Sequence, residues 1–103
     1  MSIKKSNTIN LFDKIRGESL TFGKMLESIR KADCISQVAL AKKMKVSKAY
    51  LCDIEKGRRQ VTLERAMKFA KTLGYSEAQF ATKVLEDQIR SAGLRMKVIL
   101  EAA

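Results

Sequence analysis

Histidine, proline and tryptophan are absent from this 103-residue chain, and cysteine occurs only twice, as Cys34 and Cys52. With no histidine and two cysteines 18 residues apart, the chain offers no ligand set at metal-binding spacing. It also has no glycine-rich loop to cradle phosphate and no paired nucleophile and base. No catalytic residue, metal or cofactor is therefore expected, and the reading is not that of an enzyme. Aromatics are scarce at 6%, yet 46% of residues are apolar and no low-complexity tract occurs, a composition typical of a soluble globular protein. No apolar run approaches the roughly 20 residues needed to span a bilayer. The opening MSIKKSNT does not lead into the apolar stretch of a secretory signal. The expectation is a cytoplasmic protein without membrane contact, its cysteines kept as reduced thiols. A chain of this length supports a single modest core.

What is abundant is positive charge. Lys and Arg number 21 against 11 acids, a net +10. The excess is uneven: residues 21–60 hold 10 cations and 4 acids, whereas residues 61–103 hold 7 and 5. A basic surface concentrated in one segment fits a polyanionic partner, the alternative being a generally solubilising surface.

That segment contains Gln37 to Gly57, QVALAKKMKVSKAYLCDIEKG, around which the chain is organised. Val38, Leu40, Ala41 and Met44, then Leu51 and Ile54, recur at helical spacing, with Val46 between the two runs. Ser36 and Ser47 stand before each run as candidate caps. The pattern predicts helices over about 37–43 and 48–56, joined by a tight turn and closed by Gly57, with Ala41 at the closest approach of the two. A helix from Thr21 to about Lys31 precedes them, with Phe22, Met25, Leu26 and Ile29 on its apolar stripe. A fourth helix follows Thr62, with Leu63, Ala66, Met67, Phe69, Ala70 and Leu73 on its apolar face and Gly74 at its end. A fifth runs from Ser76 to about Ala92. At the N-terminus, Ile9–Arg16 reads as a short helix after a polar arm, either reaching toward the polyanionic partner or packing on the core or a partner, and its apolar content favours packing. Past Gly93 the period changes: Leu94, Met96, Val98 and Leu100 alternate with polar or outward positions, which predicts a strand rather than a continued helix. A lone strand would pair with the same strand of a second copy.

Gln37, Ala41, Val46, Leu51 and Ile54, the run Tyr50-Leu-Cys-Asp-Ile-Glu-Lys-Gly57-Arg-Arg, and Leu63…Phe69-Ala70-Lys-Thr-Leu73-Gly74 together resemble the Cro/CI-type helix-turn-helix of the XRE family, the fold of lambda repressor. Residues 21–75 carry the likeness. Two positions depart from the family wording: Lys45 stands where the turn often has glycine, and Val61 replaces the usual proline. The resemblance implies an all-α, lambda repressor-like fold of five helices, its helix-turn-helix DNA-binding domain at 21–75; an arm and short helix at 1–20 precede this domain, and the helix and strand at 76–103 are the expected dimerisation element. It implies that Arg30 and Glu55 form a buried ion pair. It also implies that the third helix enters the major groove, with Ser47, Lys48, Ala49 and Asp53 facing the bases and Cys52 close by. Lys48 is the candidate for guanine, or else a phosphate contact; Ala49 suits a thymine methyl and Asp53 a cytosine amino group. Ser47 is equally a helix cap, and Cys52 a small half-buried thiol. Gln37, Lys42, Lys43, Lys56, Arg58 and Arg59 would contact the phosphates.

A single half-site discriminates little, so a homodimer on a palindromic operator is expected. Its candidate surfaces are the Phe80–Val84–Ile89 stripe and Leu94, Met96, Val98 and Leu100. The function these features imply is a sequence-specific transcriptional repressor. The alternatives are an antitoxin that holds a toxin and autoregulates its operon, or nonspecific nucleic-acid binding.

Overall fold

The computed structural model describes residues 20–94 together with 98 and 99. Five α-helices occur among them, and no strand: α1 Phe22–Ala32, α2 Gln37–Met44, α3 Lys48–Glu55, α4 Leu63–Leu73 and α5 Glu77–Ser91. The short helix at Ile9–Arg16 lies outside the described residues, as does most of the 94–100 strand; Leu94, Val98 and Ile99, which are described, belong to neither helix nor strand. The backbone divides into two compact units, with the boundary between Arg59 and Gln60; the boundary read from the sequence stands near residue 75.

Every helix begins with a hydroxyl side chain that accepts from an orphan amide of the first turn. Thr21 accepts from Lys24, Ser36 from Ala39, Ser47 from Tyr50, Thr62 from Arg65 and Ser76 from Gln79. Thr21 is thus the cap of α1 and not its first residue.

The first unit holds α1, α2 and α3, with α3 packed against both of the others. Its core is Phe22, Met25, Leu26 and Ile29 from α1, Leu40, Ala41 and Met44 from α2, and Leu51 and Ile54 from α3. Val38, counted with the apolar run of α2, lies on its outer side and is exposed. Gly23 fixes how near α1 comes to α3. A β-carbon there would collide with the backbone carbonyl of Ile54 and lie 2.9 Å from that of Glu55. Main-chain atoms cannot swing aside, so only glycine fits.

In the second unit α4 packs on α5. Ala66, Phe69 and Ala70 of α4 and Phe80, Ala81 and Val84 of α5 are buried, and the Tyr75 and Phe80 rings lie 6.3 Å apart. Leu63 and Met67, assigned to the apolar face of α4, are partly exposed. Gly74 at φ +83° closes α4, and Gly93 at φ +84° follows the end of α5.

Phe80 and Val84 require a correction. Both were expected on a dimer surface, but Phe80 is 0% and Val84 3% exposed within a single chain, so neither has area left to offer a second copy. Ile89 is half-buried and Leu94 is exposed, while Met96 and Leu100 lie outside the described residues.

Candidate nucleic-acid interface

The three residues Lys45, Val46 and Ser47 connect α2 to α3. Lys45 adopts the left-handed conformation, φ 58° and ψ 42°, where its N–H reaches the carbonyls of Ala41 and Lys42. Val46 then donates to Ala41 at 3.0 Å. Two orphan carbonyls at the end of α2 are satisfied in this way, and the chain reverses within one turn. Ser47 caps α3 at once, its Oγ accepting from Tyr50 at 3.0 Å. The serine expected either at the bases or at the cap is a cap here.

What seats α3 is a buried polar cluster. Arg30 donates through Nε to Glu55 Oε2 at 2.7 Å and through Nη2 to Oε1 at 3.1 Å, a bidentate pair whose side chains are 9% and 1% exposed. Its Nη1 donates to the Ile35 carbonyl at 2.8 Å, which ties the α1–α2 connection to the same group. The hydrogen bond to Glu55 raises the Arg30 pKa above its already high ordinary value; burial opposes this, while the charges of Glu55 and Glu27 add to it.

Gln37 belongs to this cluster. Its Nε2 donates to Glu55 Oε1 at 2.9 Å, so one of the two amide hydrogens expected to face phosphate is committed inward. The resemblance supplied Arg30 and Glu55 but not this third member, and at eighteen residues' separation the sequence carries no local signal for the contact.

With Leu51, Ile54 and Glu55 buried, α3 presents its other side to solvent. Lys48 and Ala49 are exposed, and Cys52 and Asp53 are half-buried. Cys52 is a free thiol; so is Cys34, which is exposed and holds φ 57° in the α1–α2 connection. Lys42 and Lys43 on α2 and Lys45 in the turn before α3 are exposed cations.

Gly57 at φ +78° ends α3 and opens the basic loop. Lys56 has no side-chain partner among the described residues. Arg58 donates through Nε to Asp53 Oδ1 at 3.0 Å, and the Arg59 guanidinium lies 5.0 Å from the centre of the Tyr50 ring. Tyr50 had no assigned role in the sequence reading, although arginine over an aromatic ring is a recurrent attractive contact.

A seated helix after a three-residue turn, capped and lined with exposed cations, is the arrangement with which helix-turn-helix proteins meet DNA. The family profile HTH_3, helix-turn-helix, matches residues 26–80, more than half of the chain. The chain belongs to this Cro/CI-type helix-turn-helix family. Membership implies DNA as a partner, and the family is typically non-enzymatic. Neither the comparison with curated proteins nor that with solved structures gave a significant match. Among the described residues no helix of this helix-turn-helix protein is long and apolar enough to cross a membrane, and no cluster of side chains suits a metal ion.

Proposed function

We propose that the protein is a sequence-specific, double-stranded DNA-binding transcriptional repressor that acts as a dimer and reads the major groove with α3. The observation that carries this reading is the division of α3 into two sides. Leu51, Ile54 and Glu55 are buried, with Glu55 gripped by Arg30 and Gln37, while Lys48 and Ala49 are exposed. A helix held this firmly can present a fixed pattern of donors, acceptors and methyl groups to base edges.

In this reading Lys48 donates to guanine O6 and N7, Ala49 meets a thymine methyl and Asp53 accepts from cytosine, with Cys52 beside them. The phosphates are held by Lys42, Lys43 and Lys56, together with the first amides of α2 at Gln37. The dimer brings two copies of α3 to successive major grooves of a palindromic site. Of the apolar residues assigned to its surface, Ile89, Leu94 and Val98 are the described ones with area available for a second chain.

The test is a titration of the full-length protein on the DNA upstream of its own gene and on a scrambled duplex, at two salt concentrations. A preference for the upstream DNA that persists at the higher salt is expected. Equal binding to both duplexes, lost together as salt rises, would mean that charge alone drives association, and the repressor reading would fall.

A further inference from the structure

The three cations that follow α3 are not equivalent. Lys56 is unpaired among the described residues, whereas Arg58 and Arg59 both fold back onto α3. Asp53 receives the Arg58 Nε–H on its carboxylate at 3.0 Å. Its main-chain carbonyl also accepts the N–H groups of Arg58 and Arg59, at 2.8 and 3.3 Å. One loop therefore holds Asp53 by both its backbone and its side chain. Tyr50, which carries Arg59, is one helical turn away from Asp53 and lies on the same side of α3.

An aspartate on a helix that approaches DNA brings a negative charge toward a polyanion, and a freely rotating carboxylate has no fixed acceptor direction. The pair with Arg58 addresses both problems. The guanidinium lies against the carboxylate and offsets its charge, and the Nε–H occupies Oδ1, leaving Oδ2 to accept elsewhere. The side chains of Arg58 and Asp53 are 60% and 39% exposed, and exposed ion pairs add little to stability, so holding the fold together does not account for the arrangement.

We infer that Arg58 is a positioning residue for Asp53, so that the pair, and not Asp53 alone, determines specificity by presenting a fixed, charge-compensated acceptor to the cytosine N4 amino group of one G·C pair. This inference rests on the operator-binding reading above. It assigns Arg58 a different task from that of a phosphate contact, and the two tasks predict opposite outcomes. A phosphate contact needs only a cation, which lysine supplies. A positioning residue needs the Nε–H in place beside Oδ1, which lysine does not supply.

The experiment uses the full-length protein, the duplex it enriches most strongly from a randomised pool, and every single-base-pair variant of that duplex. Affinities are measured at two salt concentrations for wild type, D53A, R58A, R58K and the D53A/R58A double variant, with circular dichroism melts as a check on folding. The expected result is that D53A, R58A and R58K each lose about tenfold discrimination at one and the same G·C pair. The double variant should lose no more than the single ones, and R58K should keep the wild-type salt slope. The inference is overturned if R58A weakens binding equally on every duplex and lowers the salt slope by about one while R58K restores both, for Arg58 is then a phosphate contact. It is equally overturned if D53A leaves discrimination intact at every position. A wild-type protein that shows no preference for the enriched duplex over a scrambled one removes the operator-binding reading itself, a failure visible before any variant is compared.

Discussion

Glu55 is the residue on which the first unit turns. It is buried, accepts three hydrogen bonds from two side chains and belongs to the helix proposed to read DNA. Truncating it leaves the largely buried Arg30 guanidinium without its counter-charge. Glu55→Ala is therefore expected to cost about 3–5 kcal/mol, read as a shift in urea midpoint at neutral pH. The pH dependence of this stability has a definite sign on the arginine side. Because folding raises the Arg30 pKa, its contribution is complete below the unfolded value and is lost only as pH climbs through the higher folded value. Titration of Arg30 thus leaves stability flat across the neutral range. Gly23 is the second critical residue, and it has no charge to announce it. Gly23→Ala places a methyl group against the Ile54 and Glu55 carbonyls, and the resulting displacement of α1 from α3 should cost about 1–3 kcal/mol by the same measurement. Helix propensity alone would favour alanine here by about 1 kcal/mol, so the sign of the effect separates the two accounts.

At the scale of elements, the helix ends were the most legible part of the sequence. A hydroxyl residue followed by an amphipathic run marks an N-terminus for local reasons, and the structure has such a cap at all five helices. Gly57, Gly74 and Gly93, read as stops, all have positive φ for equally local reasons. Contacts between elements were less visible. Nothing near Gly23 in sequence signals a carbonyl from α3, and an apolar stripe such as Phe80–Val84 reveals burial without saying whether its own chain or another copy supplies it. Cys34 shows the same limit, since a non-glycine residue at φ 57° carries no signature of its own. The turn between α2 and α3 gives an element-scale prediction. Lys45 holds a left-handed conformation that costs a side chain roughly 1 kcal/mol, so Lys45→Gly should raise the melting temperature, with part of the gain offset by a more flexible unfolded chain.

For the molecule as a whole, the net charge of +10 predicts strongly salt-dependent binding. Lys56 is exposed and unpaired among the described residues, and so is available to a phosphate. Lys56→Ala should weaken binding about equally on all duplexes and reduce the salt slope by about one, as measured by titration across a salt series. Assembly separates the corrected dimer residues from the remaining candidates. In the proposed dimer, Leu94→Asp should leave the melting transition of the fold in place and shift sedimentation toward the monomer. Phe80→Ala, which empties a fully buried site, should instead lower stability by about 3–5 kcal/mol, seen by denaturation.

The inward anchoring of α3 through Glu55 has a consequence for how such a protein changes over generations. The residues that hold the helix in place, Leu51, Ile54 and Glu55, are different from those that face outward, Lys48 and Ala49. Substitutions on the outer side therefore leave the core packing and the Arg30–Glu55 pair intact, and surface replacements of this kind seldom move stability by more than about 0.5 kcal/mol. The scaffold and its vocabulary are inherited separately. If those outer residues read bases as proposed, a duplicated copy of this gene could acquire a new binding sequence in a few steps without passing through an unfolded intermediate.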